Sequence, residues 1–340
     1  MEKIIRIGTR ESQLAVWQAE QVKSLLAQHG YISELVYIKS EGDIDLKTPL
    51  YEMGVQGIFT KSLDVALLND TIDIAVHSMK DVPTQLAKGI VQAAVLKRAS
   101  YRDVLVPHPD LKDVQKIFGR GILEIEHGFT SVEGSKTKET RHTEHIDTGG
   151  KANAIIATSS IRRKAQWLNR FPHHTIETLR GNVNTRLRKL KESNWHGAIF
   201  AKAGLERIDL LPEKSIELDW MLPAPAQGAI IVVCREDDEH CLNACINFND
   251  INTALCTKIE RDFLRALLGG CSTPISGLAE IKNNEVHFTG NILSPNGKLI
   301  AGLNSIDLIA RAHEMGINAA NHLLSTGGKS IADSIRNATK

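Results

Sequence analysis

Short apolar runs of strand length alternate with segments of helical period from the start of this chain, and no other feature restricts its fold as much. IIRI (4–7) is followed by Ser12 and then by Ala15, Ala19, Val22, Leu25 and Leu26, spaced along one helix face. Runs this short and continuous read as buried strands, and amphipathic helices between them cover the sheet faces. The pattern predicts α/β domains. Further strands are expected at 35–38, 72–76, 90–96, 154–157, 175–178, 198–201 and 230–233, with a helix at 63–68 and one after each strand of the 154–201 stretch. From about Ile251 a helix to Leu268 precedes strands at 285–293 and 298–303. Pro295-Asn296-Gly297 forms the turn between those strands, and a closing helix spans about 305–324. A chain of 340 residues exceeds one comfortable core, so two or three domains are expected.

Two stretches lack a period. Residues 43–62 read as a long mobile loop, and 108–151, polar and rich in Gly and Thr, as a partly ordered surface insertion. Met1-Glu2-Lys3 leads directly into a strand, without an apolar signal segment or a membrane-length run. Five cysteines without paired spacing argue against a disulfide framework, so a reduced, cytoplasmic setting is expected.

The unusual residues gather at strand ends. GTRES brings Arg10 and Ser12, HSMKD brings Ser78, Lys80 and Asp81, TSSIRRK brings Thr158, Ser159, Ser160, Arg162 and Arg163, and LRGNVNTR brings Arg180 and Arg186. In open α/β sheets ligands bind beyond the carboxyl ends of strands, where helix N-termini attract anions. Arginine adds a fixed bidentate fork for carboxylate or phosphate. Lys plus Arg number 41 against 40 Asp plus Glu, so this cationic character is local. Between Ser160 and Lys191 there are nine Lys or Arg and one acid, Glu177. A solvated face or a nucleic-acid patch is the plainer reading of that run, but only Trp167 and Phe171 are at hand as stacking platforms. The cysteines and histidines show no recognised zinc spacing, and no metal is expected. Asp81 stands out: within an anion-binding cleft a carboxylate repels the ligand, and it is tolerable where positive charge develops during reaction. Cys271 sits between Gly269-Gly270 and Ser272-Thr273-Pro274, which marks a tight loop past a helix end.

RIGTRES, HSMKDVP, ATSSIRRKAQ, LRGNVNTRL, AKAGLERI, LPAPAQGA and GGCSTP occur in this order over nearly the whole chain. Together they closely resemble the porphobilinogen deaminase (hydroxymethylbilane synthase) family. The resemblance implies head-to-tail condensation of four porphobilinogen molecules, with loss of ammonia, into a linear tetrapyrrole. It implies a dipyrromethane cofactor joined to Cys271 through a thioether, Asp81 as the catalytic carboxylate facing pyrrole nitrogens and a cationic intermediate, and Lys80 and Arg10 beside it. Cofactor contacts are implied for Ser78, Lys80, Asp81, Thr158, Ser160, Arg162, Arg163, Arg186 and Gly228. Substrate contacts are implied for Arg10, Ser12, Lys61, Arg180, Arg186, Arg207 and Gln227. The partners are porphobilinogen and polypyrrole intermediates; a monomer is expected, with neither nucleic acid nor membrane. The fold implied has three α/β domains: 1–104 with 226–246, then 105–225, both resembling type-II solute-binding lobes around a cleft, and a smaller 247–340 carrying the cysteine loop. Gln56 stands where the family often has a lysine, and no role attaches to 108–151. The competing reading is a two-lobed anion-binding protein without catalysis, which leaves Cys271 unexplained.

Overall fold

The computed structural model describes residues 3–39, 60–113, 117–119, 122, 137–138, 153–267 and 273–338. The described residues build three sheets. The first half supplies β1 (Ile5–Thr9), α1 (Gln13–Gln28), β2 (Ser33–Tyr37), α2 (Lys61–Leu68), β3 (Ile74–Ser78) and β4 (Ile90–Val95). The chain crosses over at β5 (Asp103–Pro107), and β6 (Thr137–Lys138) follows. Next come β7 (Ile155–Ala157), α3 (Ile161–Arg170), β8 (Thr175–Glu177), α4 (Val183–Lys191), β9 (Gly197–Ala201), α5 (Lys202–Glu206) and β10 (Ile216–Glu217). It then returns as β11 (Ile230–Arg235) and α6 (Glu239–Ile246).

The first sheet has the order β2-β1-β3-β11-β4 and the second β8-β7-β9-β5-β10. Position for position these are one topology. In each, the first three strands are parallel and the fourth runs antiparallel to both neighbours. The antiparallel strand is in both cases the one just past a crossover: β5 enters the second lobe and β11 returns to the first. Two lobes joined by two crossing segments place the carboxyl ends of β1, β3, β7 and β8 at a shared cleft.

Strand faces read as near-continuous apolar sequence because helices cover both sides: Ile5, Ile7, Ile74, Val76 and Val232 are buried in the first lobe. In the second, Ile156, Ile199, Trp167 and Phe171 form the core together with Phe118 and Ile122. The last two correct the reading of 108–151 as a surface insertion. Apolar residues within that polar stretch return to the core because burying side chains of this size contributes roughly 1.5–3 kcal/mol each. Trp167 and Phe171 are 0% and 3% exposed, so neither offers a stacking platform.

The third unit comprises α7 (Ile251–Leu267), β12 (Ile275–Lys282), β13 (Glu285–Leu293), β14 (Ile300–Leu308), α8 (Met315–Leu323) and α9 (Lys329–Ala338). Its sheet order is β12-β13-β14-β6, so two residues of the 108–151 stretch form its edge. β12 and the antiparallel β12–β13 hairpin are absent from the sequence reading; Asn283 and Asn284 make their turn with φ of 51° and 63°. The expected helix from 305 starts later. Residues 305–308 stay in β14 because they pair with Glu285–Phe288 of β13, and pairing overrides local preference. No helix among the described residues is long and apolar enough to cross a membrane.

Candidate active site

At each cleft junction a polar residue a few positions past the strand caps the next helix. Ser12 Oγ accepts from the Ala15 amide at 3.4 Å, Ser160 Oγ from Arg163 at 3.4 Å, and Asn182 Oδ1 from Thr185 at 2.9 Å. Thr158 Oγ1 accepts from the Ser160 amide and Ser159 Oγ from Leu179, which ties the β7 and β8 ends together. Across the cleft, Asn184 Nδ2 donates to Gln13 Oε1 at 2.9 Å, so the N-termini of α4 and α1 meet from opposite lobes.

Behind these caps lies a residue the sequence reading missed. Asp103, the first residue of β5, is fully buried. Its Oδ2 accepts from Arg162 Nη2 at 2.7 Å, and its Oδ1 from Arg163 Nε (3.1 Å) and Nη2 (2.8 Å) and from Gln227 Nε2 (2.9 Å). Burial disfavours this carboxylate's charge, but the charges of Arg162, Arg163 and Lys80 outweigh it and hold the pKa down to about 2. Arg162 Nη1 also donates to the Leu222 carbonyl and Arg163 Nη1 to that of Ile199. Protein acceptors thus engage both Nη atoms of Arg162 and all three guanidinium nitrogens of Arg163. Arg162 Nε is buried and makes no hydrogen bond among the described residues.

Met79–Asp81 forms a single 3₁₀ turn past β3, with Ser78 before it. Ser78 Oγ accepts from Gln18 Nε2 at 2.8 Å. Lys80 Nζ donates to Gln227 Oε1 at 3.4 Å, and Asp81 is exposed. Burial pushes the Lys80 ammonium down to about 8; Asp81 and Asp103 oppose that shift, while Arg163 and Arg162 add to it. Arg186, whose Nε donates to the Gly181 carbonyl at 2.7 Å, is lowered to about 10 by burial and by Arg163, with Arg180 acting the same way and Asp81 opposing. Asp81 of the first lobe therefore lies within electrostatic reach of Lys80 and of the second-lobe Arg186. Arg180 is 4% exposed, and Arg10 acts electrostatically on buried His77, whose pKa falls to about 4 chiefly through burial.

The structure brings Lys80 and Asp81 of the first lobe to Arg162, Arg163, Arg180 and Arg186 of the second, with Gln227 of the crossing segment between them; Arg10, Ser12 and Ser78 share the first lobe, and Thr158 and Ser160 the second. Arg207 is placed apart. Its Nη2 donates to the Gly228 carbonyl at 2.7 Å, and its guanidinium carbon lies 5.6 Å from the Trp17 ring. With Trp17 and Phe248 it lines a chamber of about 630 Å³ that none of the cleft cations borders. Gly228 has φ +89°, and a Cβ there would stand 2.7 Å from the carbonyl oxygens of Ala99 and Ser100; its position reflects close packing of the two crossing segments. Lys61 is exposed at the start of α2. Cys271 and Gln56 lie outside the described residues. Among the described residues, no group of three or more side chains is placed to hold a metal.

Residues 5–243 match the family model described as porphobilinogen deaminase, dipyromethane cofactor binding domain, and residues 254–325 match that of the porphobilinogen deaminase C-terminal domain. This chain belongs to the porphobilinogen deaminase family. The porphobilinogen deaminase of Desulforamulus reducens is 37% identical, covering 99% of both chains. That of Chloroherpeton thalassium is 35% identical over 99% of both, and the chloroplastic porphobilinogen deaminase of Oryza sativa subsp. japonica is 36% identical over 98% of this chain and 87% of its own. Among solved structures, the methionine binding protein MetQ aligns over 72% of this chain and 89% of its own, at 13% identity and a TM-score of 0.40. Within the porphobilinogen deaminase family the first model spans both lobes, and the C-terminal model falls on the third unit.

Proposed function

We propose that this chain is a porphobilinogen deaminase, a transferase that joins four porphobilinogen molecules head to tail into hydroxymethylbilane. In each addition the aminomethyl C–N bond breaks and ammonia leaves. The freed methylene carbon bonds to the terminal pyrrole of the growing chain, which gives up the proton from that position. Water releases the finished product. The carrying observation is the gathering of Lys80, Arg162, Arg163, Arg180 and Arg186 in one cleft, where Asp81 and Asp103 are the carboxylates acting on them among the described residues. Every pyrrole unit bears an acetate and a propionate, so the substrate and every extended chain are polyanions. A non-catalytic anion binder has no use for Asp81 among these cations.

The donor set fits a polycarboxylate cofactor. Arg162 Nε is a buried donor without a partner among the described residues, and the Ser160 and Asn182 caps add two helix N-termini. Lys80, Thr158, Ser160, Arg162, Arg163, Arg186 and Ser78 would hold a dipyrromethane attached at Cys271, while Arg10, Ser12, Arg180, Gln227 and Lys61 receive incoming substrate. When bound, the dipyrromethane supplies the pyrrole end to which units are added. Asp81 sets its carboxylate against the positive charge that develops on a pyrrole as ammonia departs. Charge stabilisation of this kind contributes roughly 10²–10³ in rate. Lys80 keeps an ammonium beside that carboxylate, and Arg10 sits on the same lobe to anchor the leaving unit's carboxylates. Arg207 and Gly228 support the crossover and fit a more distant role.

The division into 1–104 with 226–246, 105–225 and 247–340 is supported by the three sheets, although β5 spans the first boundary and β6 joins the third sheet. A monomer is sufficient, since one chain supplies both lobes and the third unit. A reduced, cytoplasmic setting is supported by free, buried Cys234, Cys241, Cys245 and Cys256. Purified protein should release ammonia from porphobilinogen and carry two linked pyrrole units on Cys271 by intact mass and peptide mapping. Absence of ammonia release contradicts the activity, and an active preparation of bare polypeptide contradicts the attachment.

A further inference from the structure

The turn that carries Lys80 and Asp81 is held from outside its own lobe. It is three residues long: Val82 N–H donates to the Met79 carbonyl at 3.2 Å, Met79 N–H donates to Ala229 O at 3.0 Å, and among the described residues no side chain caps it. A turn this short closes one hydrogen-bonded ring and has little stiffness of its own. The Met79 carbonyl and those just past the turn are gathered instead by Arg261, near the middle of α7 in the third unit. Arg261 Nη1 donates to Met79 O at 3.4 Å and to Val82 O at 3.0 Å, and Nη2 donates to Pro83 O at 2.6 Å.

Its neighbour on α7 fixes the helix at the crossover. Glu260 is fully buried and takes Arg98 through a paired contact, Nη1–Oε1 2.6 Å and Nη2–Oε2 3.1 Å. It also accepts the amides of Ala226 (2.6 Å) and Ala279 (2.8 Å). Adjacent residues of one helix thus hold the crossing segments and the Asp81 turn. The third unit grips the opposite lobe as well: Gln166 Nε2 donates to Ser276 Oγ at 3.0 Å and Asn169 Nδ2 to Gly297 O at 2.7 Å, both from α3, the helix of Arg162 and Arg163.

We propose that Arg261 is a positioning residue for the condensation, fixing the Lys80–Asp81 turn against the cleft by bridging, from the third unit, the Met79 carbonyl within the turn and the Val82 and Pro83 carbonyls just past it. A planar guanidinium can span three carbonyls at fixed angles, whereas an ammonium is a compact point donor and meets fewer of them. Asp81 touches the reacting pyrrole, and Arg261 acts through it. Displacing a catalytic group by about an ångström costs on the order of 10² in rate without touching the chemistry directly. Ground-state binding draws chiefly on several arginines that Arg261 does not contact, with Lys80 one cation among them, so most of the loss falls on kcat.

This inference rests on the deaminase reading, and the experiment separates the two. Arg261→Met and Arg261→Lys are compared with the native chain for ammonia release from porphobilinogen. In parallel, Lys80 acetylation by acetic anhydride is followed against pH by peptide mass. Lys80 is a suitable reporter because Asp81, Asp103, Arg162, Arg163 and Gln227 face it from both lobes and the crossover, so its titration registers the turn's position. The Met variant should lose at least tenfold in kcat with KM within threefold. Its Lys80 labelling midpoint should move up from about 8 as the released turn gains solvent. Arg261→Lys should recover part of both. A Met variant with kcat within twofold of native, or an unmoved midpoint, overturns the proposal. If the native chain releases no ammonia, the deaminase reading fails and the labelling midpoint alone decides the role of Arg261.

Discussion

Asp103 and Arg162 meet at 2.7 Å in the core beneath the cleft, with the carboxylate 0% and the arginine 4% exposed. Because the same carboxylate also holds Arg163, one buried charge fixes two cations beneath the cleft. Asp103→Asn keeps the shape and leaves both guanidiniums without their counter-charge. Removing one partner of a buried pair costs about 3–5 kcal/mol, so urea unfolding should show a loss of that order. In the native chain this contribution is complete above the carboxylate's unfolded value of 3.8 and disappears as pH falls towards 2. The variant should therefore show a shallower loss of stability across that window.

Activity should fall on the alkaline side. Lys80 titrates at about 8 in the folded chain, and a neutral amine no longer attracts substrate carboxylates. kcat/KM, which reports the free enzyme, should decline above about pH 8. The lowered pKa has the opposite effect on stability: the folded state binds fewer protons between about 8 and 10.5, so this group's penalty is relieved as pH rises through that range. A pH–rate profile flat to pH 10 in the native chain, with full activity in Lys80→Met, would remove Lys80 from the binding set.

The basic run is not uniform. Arg188 is exposed and pairs with Glu192 at 2.9 Å, an i,i+4 contact worth about 0.3–0.5 kcal/mol. Arg188→Leu should leave kcat and KM unchanged in ammonia-release assays. Arg162→Leu should reduce turnover and stability together, because it removes ligand donors and leaves Asp103 buried beside fewer cations. Equal losses at both positions would favour a diffuse charged patch.

Gly228 tests the packing of the crossover. Ala at φ +89° with its Cβ 2.7 Å from two carbonyl oxygens must displace the segment at Ala99–Ser100. Gly228→Ala should lose about 1–3 kcal/mol in chemical denaturation, on backbone grounds. An unchanged midpoint would mean that the crossing segments are free to separate.

The α/β class, most strand positions, and the helix starts at Ser12 and Ser160 follow from patterns local in sequence. Apolar period and short polar side chains act over a few residues, and there the reading and the structure agree. Asp103 was invisible for the opposite reason: its partners Arg162, Arg163 and Gln227 lie 59, 60 and 124 positions away. Its signal was an acid heading the apolar run DVLVP, since a charge in a buried strand must find a partner. Arg261 gave even less, because a lone arginine on a helix with Lys258 and Arg265 looks like a solvated face. β12 was lost because ISGLAEIK mixes small and polar residues, and only its hairpin with β13 fixes it as a strand.

Asp81→Asn in cofactor-loaded protein, followed through a single turnover, tests the central claim most directly. The substitution keeps size and most hydrogen bonding but removes the charge opposite the developing cation. The ligand itself is anionic, so porphobilinogen binding should hold or strengthen. Each condensation should slow by roughly 10²–10³, about 3–4 kcal/mol in the barrier. Asp81→Glu should fall between the two. An Asn variant that condenses at the native rate, or one that loses binding while its chemistry is intact, would contradict the account and reduce Asp81 to a residue that shapes the turn.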